Sequence, residues 1–284
     1  MGSAEYHPAP PKLQQQDLKG KVALVTGATK GIGRAIALDL STRGASILGT
    51  YSSSTSAHNF DNLFHTVNSL YSTSSTPVLH GVVADITSLD SISSVIKALS
   101  HEYPQKLDIL VLNAAYNARP RLGTATSSDI SNSLTGNLHW PILLMETLVR
   151  DQLFNPSARV VVISSDRVRD PSPGSSIFNA TKAGLEALAR AWAVELPLSC
   201  PGATVNAVSV GLTDTPGLRV FPAAAVEALK GQRVPKVKVV EGGRMGFPED
   251  VADVVGWLCS EKSRWVTGSV VAANGGAEYV GGSS

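Results

Sequence analysis

Short apolar runs alternate with amphipathic stretches along almost the whole chain. Residues 21–26 (KVALVT) form a continuous apolar run, the pattern of a strand buried on both faces. Residues 34–43 follow with helical spacing and stop at Gly44. The same reading predicts strands at 45–50, 78–84, 107–112, 159–164, 203–209 and 269–273, with helices at 57–72, 88–102, 126–153, 175–196 and 248–260. Strand alternating with helix predicts an α/β fold: a doubly wound parallel sheet of about seven strands, helices on both faces, joined by right-handed crossovers. Such sheets bind ligands at the carboxyl ends of their strands, so functional residues are expected just after strands.

Two stretches break the rhythm. Residues 1–18 are polar and proline-bearing and read as a disordered leader before a single domain at 19–284. Residues 211–246 carry repeated Gly and Pro between the sixth strand and the last helix. A connection that long is usually functional, so it is expected to be a mobile substrate lid, with Leu218, Val220 and Phe221 suggesting an apolar ligand.

At 284 residues and 43% apolar, the chain can bury one large core. A net charge of +1 with no basic block argues against a nucleic-acid or membrane partner. Cys200 and Cys259 have no CxxC spacing and the six histidines no ligand spacing, so no metal site is expected. No signal-peptide pattern occurs, and a cytoplasmic protein is the expectation.

Chemistry concentrates first in Thr26-Gly27-Ala28-Thr29-Lys30-Gly31-Ile32-Gly33, between the first strand and the first helix. The glycines permit a sharp turn and close approach of a pyrophosphate, and the helix N-terminus offers unpaired N–H groups. An NAD site usually places an acid at the end of the second strand to hold the ribose 2′-OH. Here that end reads Tyr51-Ser52-Ser53-Ser54, and Lys30 adds positive charge nearby. Hydroxyls and a cation suit a 2′-phosphate, so the expected cofactor is NADP(H).

The TGxxxGxG spacing resembles the short-chain dehydrogenase/reductase family, a Rossmann-like fold, over about residues 19–280. Further matches follow in order: Asp85 and Ile86 after the third strand, Asn113-Ala114-Ala115 for the family's NAG step, Val210-Gly211 for its PG step, then Thr213 and Thr215. The resemblance implies that these residues contact the cofactor. Ala115 and Val210 depart from the family pattern, both near the expected nicotinamide.

The resemblance also implies an Asn–Ser–Tyr–Lys active site. Asn137, Ser165 and Lys182 fit, but the tyrosine position, four residues before Lys182 and thirteen after Ser165, is Phe178. Residues 178 and 182 share one helix face. Lys182 is implied to hold the nicotinamide ribose and Ser165 the substrate carbonyl oxygen. Pro141, four residues past Asn137, removes the amide that would bond the Asn137 carbonyl. A phenyl ring fills a phenol's space but moves no proton, a function typically worth about 10²–10⁴-fold in rate.

Four explanations stand side by side. Asp166 or Tyr116 supplies the proton to an NADPH-dependent reductase of a carbonyl or imine in a small, fairly apolar substrate; Asp166 would have to be protonated, and could instead pair with Arg167 or Arg169. Alternatively the cofactor is a scaffold for a non-redox cyclisation or isomerisation, the chain is a cofactor-binding pseudoenzyme, or a tyrosine was replaced by design. A homo-oligomer, tetramer or dimer, is implied by the family, with Ala180, Ala183, Gly184 and Ala187 allowing close helix packing.

Overall fold

The computed structural model describes residues 10–71 and 76–281. Seven strands run parallel in one sheet: β1 (Val22–Val25), β2 (Ser46–Tyr51), β3 (Leu79–Val83), β4 (Leu107–Leu112), β5 (Phe154–Ile163), β6 (Thr204–Val210) and β7 (Val270–Ala273), in the order β3-β2-β1-β4-β5-β6-β7. The order reverses between β1 and β4, so their carboxyl ends diverge into a crevice. The helices are α1 (Gly31–Thr42), α2 (Ala57–Leu70), α3 (Ser91–Glu102), α4 (Ser127–Leu134), α5 (Trp140–Arg150), α6 (Ser176–Ser199), α7 (Ala223–Arg233) and α8 (Pro248–Leu258).

Every residue of β1, β4 and β6 is buried, and β1 accordingly reads as an unbroken apolar run, while β4 and β6 also bury Asp108, Thr204, Asn206 and Ser209. One core layer packs Trp140, Leu144, Leu148, Leu185 and Trp192 on one sheet face; the other packs Ile36, Leu40, Val251, Val255 and Leu258 on the opposite face. The large aromatic groups bury their polar ends satisfied. Trp140 Nε1 donates to Ser91 Oγ at 2.9 Å, and the Tyr103 hydroxyl donates to the Ile47 carbonyl at 2.8 Å.

Three expectations are corrected. The helix expected at 126–153 is α4 and α5 joined by a π turn over Thr135–His139, where Trp140 N reaches back five residues to Thr135 O. Pro141 has no amide for a regular i+4 bond to Asn137, and the wider turn accommodates that loss. The leader falls partly outside the described residues (1–9). Residues 14–18, however, pack on the end of α1: Leu18 is buried, Gln14 N donates to Thr42 O, and Asp17 pairs with Arg43 at 2.6 Å. The 211–246 stretch contains a helix, α7, that its glycines and prolines concealed.

On α6, Ala180, Ala183 and Ala187 are exposed, whereas Gly184 faces its own chain, where a Cβ would lie 3.0 Å from Leu138 Cδ2. Among the described residues no helix is long and apolar enough to cross a membrane.

Candidate active site at the carboxyl ends of the strands

The glycine loop is closed by a lattice of hydrogen bonds from neighbouring strand ends. Thr26 Oγ1 accepts from the amides of Asn113 and Ala114 at 2.9 and 3.0 Å. Asn113 Nδ2 donates to Thr26 O at 2.8 Å, and Gly27 N donates to Thr50 Oγ1 at 3.1 Å. Asn113 therefore pins β1 to β4 at the crevice. Gly27 (φ +70°) and Gly31 (φ +54°) take the left-handed backbone. A Cβ at Gly33 would lie 2.1 Å from Gly27 O and 2.4 Å from Asn113 Nδ2, so only glycine lets α1 approach this closely. Thr29 is buried within the loop.

Lys30 caps α1 in extended conformation with no side-chain cap bond, and its side chain is exposed. Ile32 lies in the first turn of α1 and packs partly against the core. Arg34 follows one turn after Lys30, a second cation that the sequence reading passed over. Tyr51 packs on Phe60, centroids 6.2 Å apart; Ser52 is exposed, and Ser53 Oγ shares a 2.7 Å hydrogen bond with Thr55. No acid stands at the end of β2. Asp85 Oδ1 accepts from the amide and hydroxyl of Thr87, so it fixes the turn after β3, and Ile86 is buried below the π turn against Gly136. Thr215 rests against Gly31, a Cβ there lying 3.4 Å from it, while Thr213 Oγ1 donates to Gly211 O. Gly211 backs onto Asn274, whose Cβ a side chain at 211 would meet at 2.8 Å. The base of the 211–246 segment thus lies beside the glycine loop.

At the opposite end of the crevice, Asn137 sits in the π turn. Its Oδ1 accepts from Tyr116 N at 2.7 Å, and its Nδ2 donates to Tyr116 O and to Thr181 Oγ1. This ties the loop after β4 to α6. Lys182 is buried and donates to Ile163 O at 2.6 Å; burial, with a smaller push from Arg119, brings its pKa down to about 8. The Phe178 ring centre is 5.6 Å from Lys182 Nζ and 3.8 Å from the Arg119 guanidinium carbon. Ser165 Oγ accepts from Arg167 N at 3.3 Å, capping the turn that follows β5 rather than bonding to Phe178's neighbours.

Asp166 is buried, and burial is the main cause of its raised pKa, opposed by Arg233 and Arg167. It makes no ion pair with Arg167 or Arg169 among the described residues. Arg169 instead pairs with the buried Glu186 at 2.7 Å, which also accepts from Ser164 at 2.6 Å, and Arg167 donates to Ser172. Asp166 lines a cavity of about 340 Å³ with Gly211, Thr213, Arg233 and valines of the 211–246 segment. Those valines, Val234, Val237, Val239 and Val240, supply its apolar wall; Val220 is exposed and is not part of it. The segment is fastened to the site: Arg233 and Lys236 both donate to Asp170, four residues past Asp166. Tyr116 differs from Asp166 in that it packs partly on the core, its backbone committed to Asn137. Arg119 and Arg233 are the site residues that sequence reading missed, because only tertiary contacts bring them in.

A parallel sheet with a glycine-bridged crevice, an acid-free β2 end and a buried lysine one helical turn beyond residue 178 defines a dinucleotide-binding α/β protein. The sequence profile of the enoyl-(acyl carrier protein) reductase family matches residues 27–278. The chain belongs to the short-chain dehydrogenase/reductase family. It is 34% identical over 259 residues to the short-chain dehydrogenase/reductase FrzI of a Cladobotryum species, covering 91% of this chain and 96% of that protein. It is also 34% identical to the 3-oxoacyl-[acyl-carrier-protein] reductase FabG of Pseudomonas aeruginosa, covering 91% and 98%. Among solved structures, a Burkholderia cenocepacia short-chain dehydrogenase in complex with NADP superposes with a TM-score of 0.78 at 27% identity, covering 92% of this chain and 99% of that one.

Proposed function

We propose that the protein is an NADPH-dependent reductase of a carbonyl or imine in which Asp166, not residue 178, delivers the proton. The residues present fit the cofactor. Lys30, Arg34 and the hydroxyls of Ser52 and Ser53 would receive a 2′-phosphate, and no acid stands at the end of β2 to oppose it. The first turn of α1, free of a side-chain cap, suits the pyrophosphate. Gly211, Thr213 and Thr215 would flank the nicotinamide half, with Lys182 on its ribose. The bound cofactor supplies the hydride.

The chain's own groups divide the remaining work. Ser165, partly exposed at the end of β5, orients the substrate oxygen by donating to it. Asp166 follows directly, and its burial favours the protonated form needed for a donor. The valine wall excludes water from the apolar part of the substrate, and the 211–246 segment serves as the lid, latched through Asp170. Asn137 holds the Tyr116 loop against α6 and so fixes the floor of the site. Exposed faces of α4, α5 and α6 are the surfaces through which a homo-oligomer would assemble.

The observation that carries this reading is the retained frame around residue 178. Lys182 and Asn137 are buried and bonded as a working site requires, while the missing hydroxyl is accompanied by a buried acid beside Ser165. Steady-state NADPH oxidation with a panel of ketones and cyclic imines tests it. Stoichiometric loss of NADPH supports the reductase; product without NADPH loss favours the non-redox use of the same pocket, to which Ala115 and Val210 lend themselves.

A further inference from the structure

Arg119 lies on the loop after β4 and places its guanidinium carbon 3.8 Å from the centre of the Phe178 ring. At that distance the guanidinium lies over the ring face in cation–π contact. Among the described residues only its Nε makes a hydrogen bond, donating to Asn117 Oδ1 at 2.7 Å. Among the described residues, no carboxylate comes within ion-pair distance of Arg119, in contrast to Arg43, Arg159, Arg169, Arg219 and Arg233. Gly174 closes over the same loop, where a Cβ would lie 2.8 Å from Arg119 O, so the backbone beneath the arginine is held.

The neighbouring charges add to the imbalance. Burial, with a smaller push from Arg167, brings the Arg119 pKa down to about 9, and Arg119 in turn depresses Lys182. Among the described residues Asp166 is the acid whose charge acts on Arg119, from beyond ion-pair distance, and burial raises its own pKa. A sheltered cation without a counter-ion is costly, and the cost is relieved when an anion arrives. Its two coplanar Nη groups, without a hydrogen-bond partner among the described residues, match the two oxygens of a carboxylate better than any single-point acceptor.

We propose that the substrate carries a carboxylate close to its reacting carbonyl or imine carbon, and that the Arg119 fork, laid on the Phe178 ring, receives it. This rests on the reductase reading above. It gives residue 178 a use that a phenol is not needed for: a flat apolar platform that orients the guanidinium. The substrate class is then an oxo acid with an apolar body, or the imine derived from one.

The test uses the protein loaded with NADP⁺ and two non-reacting probes, cyclohexanecarboxylate and cyclohexanecarboxamide, titrated by calorimetry. The carboxylate is expected to bind about 10- to 100-fold more tightly, the worth of a hydrogen-bonded charge. Arg119→Met, with Arg119→Gln as a second variant in case the first does not fold, should bring the two probes to near-equal affinity while NADP⁺ binding stays unchanged. Equal affinities in the unmodified protein, no measurable binding of either probe, or a preference that survives both variants would overturn the subsite. Turnover separates this claim from the one beneath it. If neutral ketones consume NADPH and the carboxylate preference is absent, the subsite is wrong and the reductase stands. If the preference depends on Arg119 but neither neutral ketones nor oxo acids consume NADPH, the subsite stands and the reductase reading falls.

Discussion

Phe178 carries one cation on its face and another near it: Arg119 at 3.8 Å and Lys182 at 5.6 Å from the ring centre. The electrostatic setting that would ionise a phenol is present around a ring that has none. The rate consequences depend on where the proton comes from instead.

With Asp166 as the donor, Asp166→Asn keeps the shape and removes the acid. The expected loss in kcat is about 10²-fold, with little change in NADPH affinity. Activity of the unmodified protein should fall as pH rises through the raised pKa of Asp166, because the donor form is lost, and this alkaline limb should be absent from the variant. A variant with full activity and the same pH profile would remove Asp166 from the mechanism.

Phe178→Tyr places a phenol beside Lys182, whose charge favours ionisation. In that background Asp166→Asn should cost only a few-fold, because two donors then serve one step and their effects are not additive. Steady-state rates of the four proteins in the cycle check this. Equal losses in both backgrounds would mean that the phenol does not reach the substrate.

Lys182→Met should raise the melting temperature near pH 7 while abolishing turnover. The folded protein lowers the Lys182 pKa from 10.5 to about 8, so the buried ammonium destabilises the fold fully below the lower value. The penalty shrinks as pH rises and vanishes above the higher value, where the lysine is neutral in both states. The shift corresponds to about 3 kcal/mol, offset by about 1 kcal/mol for the lost hydrogen bond to Ile163. Thermal melts at several pH values should show the variant's advantage fading towards alkaline pH.

Lys30→Ala and Arg34→Ala should each weaken NADPH binding by about tenfold, the loss of one charge-assisted contact, and leave NADH binding nearly unchanged. Calorimetry with both cofactors reads the difference. Equal losses for the two cofactors would place these cations away from the 2′-phosphate.

Gly33→Ala should abolish cofactor binding and lower stability by about 1–3 kcal/mol, since its Cβ would fall 2.1 Å from Gly27 O and the loop must open to admit it. Denaturant unfolding and cofactor titration measure the two effects separately.

Much of this was legible in the sequence because the strands are short apolar-rich segments set between helical patterns, and all seven overlap their expected positions. The i, i+4 spacing of Phe178 and Lys182 is a local property of one helix and carried over directly. What escaped depends on other forces. Among its residues α7 buries only Arg233, so no apolar stripe announces it, although its Ala223-Ala224-Ala225 start favours helix. The π turn needs both Pro141 and the packing of Ile86 on Gly136. Leu18 joins the core although its polar neighbours suggested a free leader. The stacking of Arg119 on Phe178 joins residues far apart in the chain, and no spacing rule reaches that far.

The central claim is hydride transfer at a site without a proton-bearing residue 178. Its most direct measurement uses NADPH deuterated on the transferred position of the nicotinamide, with product mass read after turnover. The account predicts one deuterium per product molecule and an equal amount of NADP⁺ formed. Unlabelled product with the cofactor unchanged would contradict it.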